Sequence, residues 1–422
     1  MHVSDPRCRI FLCCLGLVGG LSAQAPPPEP ITLEQALTLA ETNNPRLKFA
    51  QSYAEGAEAA IVSAQAYPNP EFNTFFGNQY RRQIGAAPGL LQHYSGAQQI
   101  ELPSVRQTRI LAARQGQKTS EYTLSEAMVL LRANVKQAFF NALRRKSELA
   151  LTMESLRLAE DLRRRIQVQV DVGEAARLEL TRADAEVAVA RTIANSANLR
   201  YRNALAVLRT VISAPLPAQF EPQGQINITQ TLPQLEELRT EMLEKHPTLL
   251  ALRSEVEKNR ALLDNELAQR KPAPILRGEW ERQPDLGFFR LGVSIPLPIW
   301  NRREGPIGEA AARVNQSRAA LQFRELEMSS TLESAYGLYE VARQQVASFE
   351  QGVLREAEAA VNAAEAAYKF GERGFIEVLD AQRVLRTVRL DFLNAQYDLQ
   401  AALIEVEQLR ATQIGAAPGG KP

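Results

Sequence analysis

Few side chains in this 422-residue chain are suited to covalent or metal chemistry, and most of those lie at its start. Cys8, Cys13, Cys14 and His2 fall in one short stretch, which leaves His93 and His246, far apart, and no further cysteine. There is no His/Cys cluster at metal-ligand spacing, no glycine-rich phosphate loop and no nucleophile elbow. Thiol, metal-centre and triad chemistry are set aside, the chain does not read as an enzyme, and no cofactor is called for. What remains is charge. Glu377 and Asp380 are three residues apart, so a helix places both on one face. Tyr368 and Arg373 precede them, and Glu179 holds the place in an earlier segment that Glu377 holds in the later one. Taken alone, such charges also suit a plain solvated helix face.

Long helices must carry these residues. No proline lies between Pro103 and Pro215, nor between Pro306 and Pro418, and proline in a helix interior costs about 3 kcal/mol. The two proline-free blocks belong to two halves that repeat each other. Asn44-Pro45, Pro68-Asn69-Pro70 and Ile100-Glu101-Leu102-Pro103 are followed, in the same order, by His246-Pro247, Pro272-Ala273-Pro274 and Ile295-Pro296-Leu297-Pro298. Val172-Gly173-Glu174 returns 198 residues later as Phe370-Gly371-Glu372. After each glycine two apolar seams recur every seven residues. They comprise Leu180, Val187, Ala194, Tyr201 and Leu208 with Ala183, Ala190, Ala197, Ala204 and Val211, then Val378, Leu385, Phe392, Leu399 and Val406 with Ala381, Val388, Ala395, Ala402 and Leu409. Such heptads predict tightly packed antiparallel coiled coils, each turning at its glycine.

A short β-hairpin is expected ahead of each coiled coil. Leu276, Gly278 and Trp280 alternate with Arg277, Glu279 and Glu281, and Phe289, Leu291, Val293 and Ile295 alternate with Arg290, Gly292 and Ser294. A weaker pattern sets Phe72, Thr74 and Phe76 against Glu71 and Asn73, followed by Ala97, Gln99 and Glu101 against Ile100 and Leu102. Strands with one apolar and one polar face suit a membrane barrel, but four strands cannot close one, and open edges in lipid leave backbone groups unsatisfied. Three copies would supply 12 strands. A soluble fibrous spacer, or a small sheet capping a soluble bundle, is the competing possibility.

The expected organisation is a signal peptide over 1–25 and a first repeat over 31–214, with a β-hairpin at 70–102 and a helical hairpin at 104–212. A linker follows over 215–233, then a second repeat over 234–411, with a β-hairpin at 274–297 and a helical hairpin at 305–411, and a disordered tail over 412–422. The leader assignment rests on Arg7 and Arg9 before the apolar run Ile10–Leu21, with small residues at Ser22, Ala23 and Ala25. The overall charge is balanced, 49 basic against 48 acidic residues, which gives no footprint for nucleic acid.

These features together resemble the TolC-like outer-membrane efflux channels. The run from Ser294 to Gly305, with Ile307 and Ala310 after it, is most similar to the heavy-metal RND branch typified by CzcC-like proteins. The resemblance implies a mainly α fold with a small β part, in which duplicated long coiled-coil helices and four β-strands per subunit form a homotrimer. Its 12-stranded β-barrel would sit in outer-membrane lipid on an α-helical periplasmic tunnel. It further implies a passive exit duct for metal cations, with multidrug efflux or type I protein secretion as the alternative, joined to a periplasmic adaptor (membrane fusion) protein and an inner-membrane RND-type pump. By position, Glu377 and Asp380 match the family's periplasmic gate acids, where a ring of carboxylates would attract cations. Tyr368 and Arg373 match its gate latch, with Glu179 as the acidic partner, and Gly173 and Gly371 match the tips where the adaptor docks. A water-filled conduit for metal ions needs no ligand cage.

Overall fold

Helix starts are written into the chain by caps and prolines. Thr32 forms a capping box with Gln35 and opens α1 (Leu33–Asn43). Asn44 then caps α2 (Pro45–Gln65), whose proline occupies the first turn, where its missing N–H costs nothing. The computed structural model describes residues 29–79, 89–217, 219–226 and 231–411. The expected leader over 1–25, the tail over 412–422 and the turn of the first β-hairpin lie outside them.

Strand β1 (Glu29–Ile31) precedes α1. After α2 come β2 (Glu71–Gln79) and β3 (Gly89–Gln99), the long helix α3 (Pro103–Asp171) and its return α4 (Arg177–Ile212). Strand β4 (Phe220–Pro222) pairs in parallel with β1. The order then repeats as α5 (Leu235–Lys245), α6 (Pro247–Ala268), β5 (Ile275–Arg282) and β6 (Gly287–Ser294). The second long helix comes in two parts, α7 (Glu304–Ser348) and α8 (Leu354–Lys369), joined by a π-turn over Phe349–Val353, and α9 (Phe375–Arg410) returns from it. At about 1.5 Å per residue, α3 carries the chain roughly 100 Å from the sheet to the turn at Gly173.

The second strand lies upstream of where its alternation suggested. It covers 89–99, and Ile100–Leu102 are not strand: Leu102 is already the N-cap of α3, Pro103 is its first residue, and Glu101 turns back to pair with Arg109. Strand β6 likewise ends at Ser294, before Ile295 and Pro296. The four strands form one antiparallel sheet in the order β2-β3-β5-β6, so its two outer edges, β2 and β6, have no strand partner among the described residues.

The register puts Phe72, Phe76, Tyr94, Trp280, Leu276, Phe289, Leu291 and Val293 on one face, and Asn73, His93, Arg277, Glu279, Glu281 and Arg290 on the other. On the polar face Arg290 bridges Glu279 and Glu281. The apolar face is bare, with Phe289 70% and Leu291 77% exposed. No helix among the described residues is long and apolar enough to cross a membrane.

Each repeat buries its own core where the short helices brace the long ones. Ala36, Ala40 and Leu47 meet Val135, Phe139, Leu208 and Ile212. Leu238, Met242 and Leu249 meet Met328, Leu332, Val406 and Leu409. The heptad seam of α4 points inward throughout: Ala183, Val187, Ala190, Ala194, Ala197, Ala204 and Leu208 are buried.

Candidate functional site

The charged residues singled out by spacing gather at the two turns farthest from the sheet. Both turns are built alike. Gly173 donates to the Val170 carbonyl and Glu174 to that of Gln169, and Gly371 donates to the Tyr368 carbonyl and Glu372 to that of Ala367. These are Schellman closures, which place the residue after the helix in the left-handed region, and φ is +83° at Gly173 and +76° at Gly371. Without a Cβ, glycine adopts that conformation freely. Helices α4 and α9 restart at Arg177 and Phe375, so Glu179 and Glu377 each occupy the third helical position. There the exposed N–H groups and the helix dipole favour a negative charge.

Phe375 and Leu379 of α9 pack on Leu162 and Ile166 of α3 and Ala183 of α4, with Tyr368 and Leu180 at the margin. This cluster joins the two hairpins. Tyr368 lies against the Phe375 ring and donates its hydroxyl to Gln169 Oε1 at 2.9 Å. Burial, with the Glu179 carboxylate adding to it, pushes the Tyr368 phenol above its ordinary pKa, so its proton stays available to donate.

Arg373, in the turn just before α9, donates to Glu377 Oε1 at 3.1 Å, and this is its ion pair within the described residues. The chain therefore brings Tyr368 and Glu179 into one neighbourhood but pairs Arg373 with Glu377 instead of Glu179. Asp380 is exposed one turn further along α9. Gly173 and Gly371 are flanked by bare apolar side chains at matching positions: Val172 and Leu178 at one tip, Phe370 and Ile376 at the other.

Two features escape local sequence patterns. Gln169 was not singled out, although it is the helix-end residue whose carbonyl closes the first turn. Glu186 is buried on α4 beside the alanine seam, its carboxylate held by Arg383 and Arg386 of α9. An acid one residue from a seam position was the available signal. No group of three or more His, Cys, Asp or Glu able to hold a metal occurs among the described residues.

Comparison with known proteins decides what kind of molecule presents this arrangement. Residues 238–412 match the family described as outer membrane efflux protein. The cobalt-zinc-cadmium resistance protein CzcC of Cupriavidus metallidurans is 27% identical over 382 residues, covering 90% of each chain. The second repeat of the chain thus matches the outer membrane efflux protein family.

The chain is also similar to the nickel-cobalt-cadmium resistance protein NccC of Alcaligenes xylosoxydans xylosoxydans, 24% identical over 79% of this chain and 77% of that one. Among solved structures, CusC aligns with a TM-score of 0.76 at 18% identity, over 90% of this chain and 91% of that one. The Campylobacter jejuni CmeC outer membrane channel aligns with a TM-score of 0.76 at 18% identity, over 96% and 94%. The fold is thus that of the outer membrane efflux channels. Its likenesses are to outer membrane efflux proteins and channels, not to enzymes.

Proposed function

We propose that three copies of this chain form the outer-membrane exit duct of a tripartite efflux system. The observation that carries this reading is the sheet: four strands with two unpaired edges and one largely apolar, exposed face. Such a sheet cannot stand in lipid alone, because each unsatisfied backbone group there costs several kcal/mol. Pairing β6 of one copy with β2 of the next removes every edge and closes 12 strands, an even number within the barrel range. Phe72, Phe76, Trp280, Phe289 and Leu291 then face lipid, and Arg277, Glu279, Glu281 and Arg290 face water.

The coiled coils continue the barrel as a tunnel whose narrow end lies at the two glycine turns. There Glu377 and Asp380 of three copies form a carboxylate ring, with Arg373 offsetting part of its charge. Tyr368, Gln169 and Glu179 hold the end shut. Gly173 and Gly371, with their apolar flanks, receive a periplasmic adaptor that connects the duct to an inner-membrane RND-type pump. The likeness to cobalt-zinc-cadmium and nickel-cobalt-cadmium resistance proteins over most of both chains favours divalent metal cations as cargo. Two measurements test this. Purified protein in planar bilayers should conduct as a trimer, and multivalent cations should block it from the tip side. The Glu377→Ala/Asp380→Ala variant should lose most of that block; retained block moves the ring elsewhere. Cells lacking the protein should accumulate cobalt, zinc or cadmium, and unchanged metal content would exclude metal cargo.

A further inference from the structure

We infer that Glu186, Arg383 and Arg386 form an internal charge clamp that holds the gate helix α9 against α4 and must break for the tip to open. The inference rests on the channel reading above, and adds positioning residues to it.

Glu186 is buried on α4, its side chain only 8% exposed, among Ala183, Val187 and Ala190 of the apolar seam. A carboxylate in such surroundings is tolerated only when it is paired and hydrogen-bonded. Both of its oxygens are occupied. Arg383 donates to Oε2 through Nε at 3.0 Å and Nη2 at 2.6 Å, and Arg386 donates to Oε1 through Nη1 at 3.2 Å. All three donors come from α9, across a separation of 197 to 200 residues.

The arginines continue a line that begins at the gate. Asp380, Arg383, Arg386 and Arg389 follow one another at three-residue steps on α9, and Arg389 donates to Glu358 of α8 at 2.9 Å. Arg389 thus ties α9 mainly to its own hairpin, with a longer 4.0 Å ion pair to Glu154 of α3, whereas Arg383 and Arg386 bond only to the other one through Glu186. A swing that carries Glu377 and Asp380 away from the first-repeat hairpin pulls the guanidiniums off Glu186. The carboxylate is then left buried and uncompensated, a strongly unfavourable state. Apolar contacts such as Phe375 on Ile166 can slide over a few ångströms. A two-arginine clamp on one carboxylate is directional and has a discrete broken state.

The test is single-channel recording of the purified full-length protein in planar bilayers. Glu186→Gln should spend at least about tenfold more time at the higher conductance level than wild type, equivalent to about 1.4 kcal/mol. The triple variant Glu186→Gln/Arg383→Gln/Arg386→Gln leaves no buried unpaired charge, so it should fold, assemble and show the same raised open time. Arg355→Gln, which removes an exposed pair with Glu356 on α8, should behave as wild type. Wild-type open times in the triple variant, with assembly intact, overturn the clamp while leaving the channel reading standing. A wild-type protein that forms no conducting species overturns the channel reading itself.

Discussion

His246 and Asn44 show how the two repeats meet one structural demand with different chemistry. Asn44 caps α2 by accepting from the Arg46 N–H, and its amide donates to the Val211 carbonyl near the end of α4. His246 caps α6 by accepting from the Thr248 N–H at Nδ1, and its ring is hydrogen-bonded to the Gln408 backbone near the end of α9. Burial pushes the imidazole down to about 4, with the nearby Arg324 charge acting in the same direction. Between that value and the ordinary pKa of about 6.5, the unfolded chain binds a proton that the folded chain refuses. Stability therefore falls as pH drops through this window, by about 2 kcal/mol between pH 7.5 and pH 5. His246→Asn, the cap used by the first repeat, should flatten that dependence, which denaturant unfolding of the detergent-solubilised protein at the two pH values would measure. Arg373 carries a second prediction at this scale. Because it pairs with Glu377, Arg373→Ser should leave that acid of the proposed ring uncompensated, raising conductance and strengthening block by multivalent cations. Conductance and block like those of wild type would mean the pair is merely a solvated i,i+4 contact.

Helix α7 holds a signal that the heptads contain but that is easily overlooked. Its inward residues run Met328, Leu332, Ala335, Tyr339, Ala342 and Val346, and the same spacing projected forward would reach Glu356 and Ala360. The buried residues are instead Ala357 and Val361, one position later. The π-turn at Phe349–Val353 absorbs that single extra residue, so the seam stays in phase on both sides of it. Deleting Gly352 should therefore convert the turn to plain α-helix, with thermal stability unchanged or higher. An inserted alanine there should lower it. At the tips, a side chain at Gly371 would meet nothing within 4 Å, so Gly371→Ala should cost only the left-handed backbone term, about 1–2 kcal/mol, with Gly371→Asn cheaper. Circular dichroism melting of the assembled protein checks both sets. Coiled coils, glycine turns and repeat order were legible because each is local or periodic. Tyr368 on Gln169 and Arg383 on Glu186 were not, since they join helices nearly 200 residues apart and leave no periodic trace.

The whole molecule is where local pattern alone falls shortest. Strand β3 was misplaced because its apolar face reads Gln92, Tyr94, Gly96 and Gln98, scarcely a hydrophobic alternation. The structure accounts for this: β3 is internal to the sheet, and Tyr94 packs against the rings of Phe72, Phe76 and Trp280 from both neighbouring strands. Those rings carry the apolar face across β3, and Leu291 lies against Gly278 of the next strand, so the face continues although β3 contributes little to it. In the proposed barrel this shared apolar face meets lipid, and the two sides of β6 offer a direct comparison. Leu291 lies on the apolar face and Arg290 on the charged one, adjacent in sequence and opposite in direction. A lysine at Leu291 places an ammonium against hydrocarbon at a cost of about 2–4 kcal/mol per copy near the midplane, three times over in a trimer. Leu291→Lys should therefore sharply reduce the outer-membrane trimer recovered from cells, whereas Arg290→Gln should leave the trimer yield close to wild type because its side chain faces water. Equal yields for the two variants would show that the bare face of the sheet does not meet lipid, and the 12-strand closure would lose its driving force.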